Sequence, residues 1–162
     1  MKIIKEYVDS VFEGTIIDLE TQGDFLRQYD DSRHYSKHTP VFFGFITKDG
    51  MEIHCAEKTA EVKRLLKSME ELLPTFPMPF HSFNTDFERG VLFHALGKVV
   101  LFERELNKEK YESKASAVRE LKLPNYDDPF NDIGRRFLDA WKNGSMKDCI
   151  AHNRADLLKE KD

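Results

Sequence analysis

A hairpin followed by a change of hydrophobic period limits what this chain can fold into more than any other feature. Pro40 to Thr47 (Pro-Val-Phe-Phe-Gly-Phe-Ile-Thr) is apolar, Lys48-Asp49-Gly50 carries an Asp-Gly turn, and Met51 to Cys55 returns. Asp-Gly between two such runs favours a tight antiparallel connection, because both residues tolerate positive φ. From Thr59 the pattern becomes helical, with Val62, Leu65, Leu66, Met69, Leu72 and Leu73 recurring at i, i+3, i+4 and i+7. An antiparallel pair leading straight into an amphipathic helix requires a sheet with helices packed on it.

Strand and helix periods alternate along the rest of the chain. Gly14 to Leu19 is β-branched and apolar and is bounded by Gly14 and Thr21-Gln22-Gly23, which predicts a strand. Pro74, Pro77 and Pro79 end the first helix and lead into a short buried strand around Phe80 to Phe83. Asn84 or Thr85 caps a helix running to about His94, and Val99 to Phe102 is a further strand. Helical patterns follow at Lys114–Leu121, Asn131–Lys142 and Ser145–Lys159, separated by Pro124-Asn125-Tyr126-Asp127-Asp128-Pro129 and by Asn143-Gly144. The prediction is one α/β domain over residues 1–162, a mixed β-sheet of antiparallel hairpin strands plus parallel strands, flanked by helices.

Composition narrows the function classes. With 40% hydrophobic and 33% charged residues in 162, the chain can bury a core and does not resemble a disordered one. Its formal net charge of −4 excludes a polyanion binder that works by overall charge alone. No apolar run approaches the length of a membrane span, and Met1-Lys2-Ile3-Ile4-Lys5-Glu6 lacks the apolar centre of a signal peptide. Cys55 and Cys149 fit no zinc spacing and are expected to be reduced thiols of a cytoplasmic protein.

Three short acidic segments carry the chemistry: Thr15-Ile16-Ile17-Asp18-Leu19-Glu20-Thr21, Phe83-Asn84-Thr85-Asp86-Phe87-Glu88 and His152-Asn153-Arg154-Ala155-Asp156-Leu157. Asp18 and Glu20 leave the first strand on the same side while Ile17 and Leu19 face the other way. Two acids side by side at the end of a buried strand repel, a cost relieved by a cation between them. Asp86 opens a helix, where the macrodipole favours an acid with or without a ligand; Glu88 is expected on the surface of the helix's first turn. His152 and Asp156, four apart, share one helix face. An acid cage for two divalent cations is the arrangement that cuts phosphodiester bonds.

On these segments the chain resembles the DEDD superfamily of 3′–5′ exonucleases of the ribonuclease H-like fold. The first segment is similar to that family's Asp-x-Glu-Thr strand and the second to its Asn-turn-Asp motif. The C-terminal third is similar to a branch of predicted exonucleases called YprB-like, in Ser113 to Leu121, Ile133 to Trp141 and Ala151 to Asp156. The likeness spans residues 13 to 160. It implies a sheet in the ribonuclease H order, Mg²⁺ or Mn²⁺ as cofactor (two ions), and a nucleic-acid substrate with a single-stranded 3′ end. It also implies Asp18, Glu20, Asp86 and Asp156 as metal ligands and His152 as the base that activates water. In the family's histidine branch the base stands five residues before the last Asp; here it stands four before, the spacing of the tyrosine branch.

The mechanism so implied places Asp18 between two ions about 4 Å apart, with Glu20 and Asp156 on one and Asp86 reaching the other mainly through water. Arg27, Arg33, His34, Lys37 and His38, in the loop after the first strand, are candidates for gripping the strand, with Tyr29 or Tyr35 available for base stacking. Arg135-Arg136 could touch backbone phosphate, but adjacent arginines on a helix more often face water. The rival expectation keeps the fold and drops the chemistry: a catalytically silent ribonuclease H-like module that binds nucleic acid or a protein.

Overall fold

A computed structural model describes residues 1–106 and 112–162. Strand β1 (Lys2–Glu6) is followed by β2 (Thr15–Gln22), β3 (Thr39–Thr47) and β4 (Gly50–Cys55). Helix α1 (Val62–Leu72), strand β5 (Phe80–Ser82), helix α2 (Thr85–Leu96) and strand β6 (Phe102–Glu105) come next. Helices α3 (Lys114–Glu120), α4 (Arg135–Lys142) and α5 (Met146–Lys161) complete the chain.

The strands form one mixed sheet in the order β1-β4-β3-β2-β5-β6. β2 is central: it pairs antiparallel with β3 on one side and parallel with β5 on the other. β1 with β4 and β3 with β4 are antiparallel, and β5 with β6 is parallel. This is the ribonuclease H-like arrangement that the sequence predicts, with β1 added at the edge. Among the described residues no helix is long and apolar enough to cross a membrane.

Alternation along β2 and β3 sorts the two faces of the sheet. Ile17 lies opposite Phe45 and Leu19 opposite Phe43. The rings of Phe43 and Phe45 gather those of Phe76 and His54, and Ser68 of α1 hydrogen-bonds the His54 Nδ1, so α1 covers this face. On the opposite face the Phe42 ring meets Phe137 of α4 edge-on at 5.0 Å, and Gly44 meets Asn153 and Leu157 of α5. α5 is buried through most of its length, including His152, Asn153 and Ala155 to Lys159. A helix enclosed this way keeps polar residues inside only if they are paired.

Several boundaries differ from the sequence reading. β1 was not expected; its alternation is weak, and it is pinned by Arg154 of α5, which donates to both Glu6 carboxylate oxygens at 2.6 and 2.7 Å. The strand expected at Val99 to Phe102 begins instead at Phe102. The helix expected from Asn131 starts at Arg135, because Asn131 and Asp132 take positive φ in a turn that wraps the Asp128 carboxylate. β2 runs past Leu19 through a bulge between Glu20 and Thr21.

Candidate metal centre

Glu20, Asp18 and Ile16 share a face of β2, and Asp18 is only 5% exposed. α5 passes over that face and supplies His152, Asn153, Asp156 and Glu160, whose spacing places them along one side of the helix. The Asn153 amide donates to Asp18 Oδ2 at 2.7 Å, a bond that ties strand to helix. Burial pushes the Asp18 carboxyl up, with the neighbouring Asp156 charge adding to the shift and Lys114 opposing it. The same desolvation takes Glu20 to about 8.

His152, 1% exposed, sits between two acidic groups. Its Nδ1 bonds Asp128 Oδ1 at 2.8 Å; its Nε2 lies 3.4 Å from Glu20 Oε1 and 3.6 Å from Asp156 Oδ2. Burial opposes its charge, but the Asp128 bond and the charges of Asp156 and Glu20 outweigh it and raise the imidazole to about 9. Asp128 is itself held well below the usual carboxylate range: burial works against this, and the His152 bond and the backbone N–H groups of Asp132 and Phe130 prevail. The outer oxygen of Asp128 also accepts from the buried Lys159 ammonium, which reaches Asp132 as well.

The fourth expected acid is elsewhere. The Asp86 side chain is 50% exposed and accepts from Arg89 at 3.0 Å, one turn along α2. Asp86 lines a separate cleft of about 770 Å³ together with Arg27, Tyr29, His34, Tyr35 and Phe93. The acid that turns inward is Glu88, 4% exposed, against the expectation that it decorates the surface. Burial raises its carboxyl well above the usual range, and the Asp18 charge adds to this. Glu88 shares its helix face with the buried Val91 and Leu92, three and four residues on, and that spacing was the available signal.

Three further participants were missed. The Lys114 ammonium, on the first residue of α3, donates to Asp18 Oδ1 at 3.3 Å and Asp156 Oδ2 at 3.0 Å, and lies 2.9 Å from Glu160 Oε1. Burial disfavours its charge, yet Asp156, Asp18 and Glu160 keep it protonated well above the usual lysine range. Burial raises Glu160 strongly too. Asp128 is the third. Lys114 and Asp128 meet the site across long stretches of chain, so no local motif marks them, whereas Glu160 follows Asp156 by one helical turn on α5.

These acids fit a cation. Asp18, Glu20, Glu88, Asp156 and Glu160 gather around the ammonium of Lys114 and the imidazole of His152. Glu88 Oε2, Asp156 Oδ1 and Glu160 Oε2 are buried with no hydrogen-bond partner assigned among the described residues, and Glu160 Oε1 has the Lys114 ammonium at 2.9 Å. Glu20, His152 and Asp156 each present a ligand atom within 4.8 Å of the others. Unpartnered carboxylate oxygens in a dry pocket are costly unless positive charge is supplied from outside, and oxygen donors suit Mg²⁺ or Mn²⁺.

In the neighbouring loop, Arg33 is bound to Asp31 and lies over the Tyr29 ring at 4.2 Å, and Lys37 is exposed. His38 is buried and bonded to Thr21 Oγ1, which removes it from any surface role. Arg135 and Arg136 are exposed, as expected. Cys55 and Cys149 are both buried free thiols that burial raises to about 11 and about 12. Comparison with family models, curated proteins and solved structures finds no match to this chain.

Proposed function

We propose that this protein is a metal-dependent 3′–5′ exonuclease that hydrolyses phosphodiester bonds at the 3′ end of a single-stranded nucleic acid, with Mg²⁺ or Mn²⁺ as cofactor. The observation that carries this reading is the gathering of the buried Asp18, Glu88 and Asp156 with the half-buried Glu20, with Glu88 Oε2 and Asp156 Oδ1 unpartnered among the described residues. Glu88 takes the role that the family likeness gives to Asp86. Bound cations would supply a polarised water and offset charge on the phosphate.

The chain's own residues supply the rest. His152 accepts the proton of the attacking water at Nε2, while Asp128 fixes the ring through Nδ1 and stabilises the imidazolium that forms. In the metal-free protein Asp128, Asp156 and Glu20 hold that imidazole charged, and a cation on Glu20 and Asp156 would offset their share of the shift. The cleft beside α2 offers Tyr29, Tyr35 and Phe93 for base stacking and Arg27 and Arg89 for phosphate, which suits an unpaired strand. The free thiols support a reducing, cytoplasmic setting.

The test is hydrolysis of 3′- and 5′-labelled single strands in Mn²⁺ by the parent and by Asp18→Ala. The parent releases mononucleotides stepwise from the 3′ end, and the variant does not. Equal activity in the two proteins rejects the assignment, and cutting of a circular strand would make the enzyme an endonuclease.

A further inference from the structure

The family likeness implies two metal ions, but the position of Lys114 points elsewhere. Its ammonium occupies the junction of β2 and α5, bonded to Asp18 Oδ1 and Asp156 Oδ2 and 2.9 Å from Glu160 Oε1. Asp18 is the carboxylate that two ions would have to share, and Asp156 is a ligand of the first. A lysine head is a compact point charge with three donors, and here three carboxylates surround it.

The lysine is also held in place. The Ser113 hydroxyl accepts from the Ser116 N–H at 3.1 Å and fixes the start of α3, so Lys114 projects from an anchored first turn. The Phe83 ring lies 5.6 Å from the ammonium and walls it on another side. Withdrawing it would strand three buried carboxylates together, the situation that makes removal of one partner of a buried ion group costly. Glu20, His152 and Asp156 present ligand atoms within 4.8 Å of one another, a group that does not include Lys114's other partners, Asp18 and Glu160.

We propose that Lys114 replaces the second metal ion: the site binds a single divalent cation beside Glu20 and Asp156, and the Lys114 ammonium supplies the other positive charge. This rests on the metal-dependent reading above and changes its stoichiometry. Lys114 already bonds Asp18 and Asp156, so one divalent ion and the ammonium together carry positive charge to match the three carboxylates Asp18, Glu20 and Asp156.

The experiment is Mn²⁺ titration of the intact protein, by calorimetry and by electron paramagnetic resonance, for the parent and for Lys114→Met, which keeps the aliphatic stem and removes the charge. The parent is expected to bind one ion and Lys114→Met two, the added pair showing the spin coupling of adjacent Mn²⁺ ions. Two ions in the parent overturn the proposal while leaving the metal-dependent reading intact. One ion in both proteins also overturns it, since the lysine then excludes nothing. No ion in the parent defeats the metal-dependent reading itself. Should Lys114→Met fail to fold, Lys114→Gln is titrated in its place, with the same outcomes.

Discussion

Gly44 lies directly across the β2–β3 ladder from Asp18, and α5 fills the space that its missing side chain leaves. A Cβ at position 44 would stand 2.4 Å from Asn153 Oδ1 and 2.7 Å from Leu157 Cδ1. Asn153 is also the residue whose amide holds Asp18 at 2.7 Å. The absence of a side chain on β3 therefore sets how closely the helix brings Asp156 and His152 to the strand acids. Gly44→Ala is expected to cost about 1–3 kcal/mol through overpacking and to weaken Mn²⁺ binding in the folded protein. Urea unfolding and Mn²⁺ titration check both; a variant matching the parent in each would refute the close approach.

Glu88 and Asp86 are two residues apart on α2 and face different surroundings. Glu88→Gln is expected to lower Mn²⁺-dependent hydrolysis by about 100-fold or more, at or above the upper end of losses measured for residues that support metal ligands. Thermal stability in chelator should not drop, because the variant replaces an acid whose charge is already disfavoured by burial. Asp86→Asn, an exposed substitution, should leave kcat close to the parent and act only through Arg89 on substrate affinity. Steady-state kinetics on a labelled strand separates the two. Loss of kcat in Asp86→Asn with none in Glu88→Gln would restore the sequence expectation.

The metal-free protein should become less stable as pH rises. Glu20 shifts from an ordinary value of 4.5 to about 8, and Asp18, Glu88 and Glu160 are raised as well, all chiefly by burial. The folded state thus binds more protons than the unfolded chain, and the slope of stability with pH is negative. His152 acts in the same direction: its contribution is complete below 6.5 and is lost as pH rises through about 9. Denaturation in chelator should therefore show a lower Tm at pH 8.5 than at pH 5.5. Saturating Mn²⁺ should reverse that order, adding about 2.7 kcal/mol at a hundredfold excess over Kd. A Tm that climbs with pH in chelator would contradict the buried acid group.

What could be read from the sequence follows the range of the forces involved. The hairpin through Asp49-Gly50, the β2 run and the helical spacing of α1 are local patterns, and the structure reproduces them. Asp18, Glu20, His152 and Asp156 stood out because acids at the end of an apolar strand and a His–Asp pair on a helix are conspicuous without tertiary information. Glu88 was hidden by a sufficient local explanation, since an acid in a first turn satisfies the helix dipole whatever lies beside it. Lys114 meets Asp18 across 96 residues and Asp128 meets His152 across 24, distances over which spacing carries no signal. Arg154, inside the most recognisable C-terminal segment, turns away from the acids to hold β1.

That Arg154–Glu6 pair gives a prediction separable from chemistry. Arg154 holds the Glu6 carboxyl below its ordinary 4.5 through a paired hydrogen bond. A lowered carboxyl stabilises the fold above its unfolded pKa and loses that contribution as pH falls through the folded value. With 35% of each side chain exposed, the pair is expected to be worth under about 1 kcal/mol. Glu6→Gln should cost that amount at pH 7, nothing at pH 3, and leave hydrolysis unchanged. Chemical denaturation at the two pH values measures it, and an equal cost at both would show that packing, not charge, holds the edge strand.

Asp128 offers the sharpest test of how the histidine is set. Its carboxylate accepts from the backbone N–H groups of Phe130 at 2.9 Å and Asp132 at 2.8 Å, in a loop where Tyr126, Asp127, Asn131 and Asp132 all take positive φ. Non-glycine residues in that region carry strain, which this loop sustains while aiming one oxygen at His152 Nδ1. Asp128→Asn keeps the shape and removes the charge, and Lys159 retains Asp132 at 2.6 Å, so its ammonium is not left alone. The His152 pKa should fall from about 9 toward 6.5, because the strongest group raising it is weakened. kcat should drop by about 10–100-fold with KM and the Mn²⁺ count unchanged, since Glu20 and Asp156 still face Nε2. NMR titration of the imidazole in chelator reads the first effect and steady-state kinetics the second. A histidine that titrates as in the parent, together with an unchanged rate, would mean that the strained loop supports the fold and not the base.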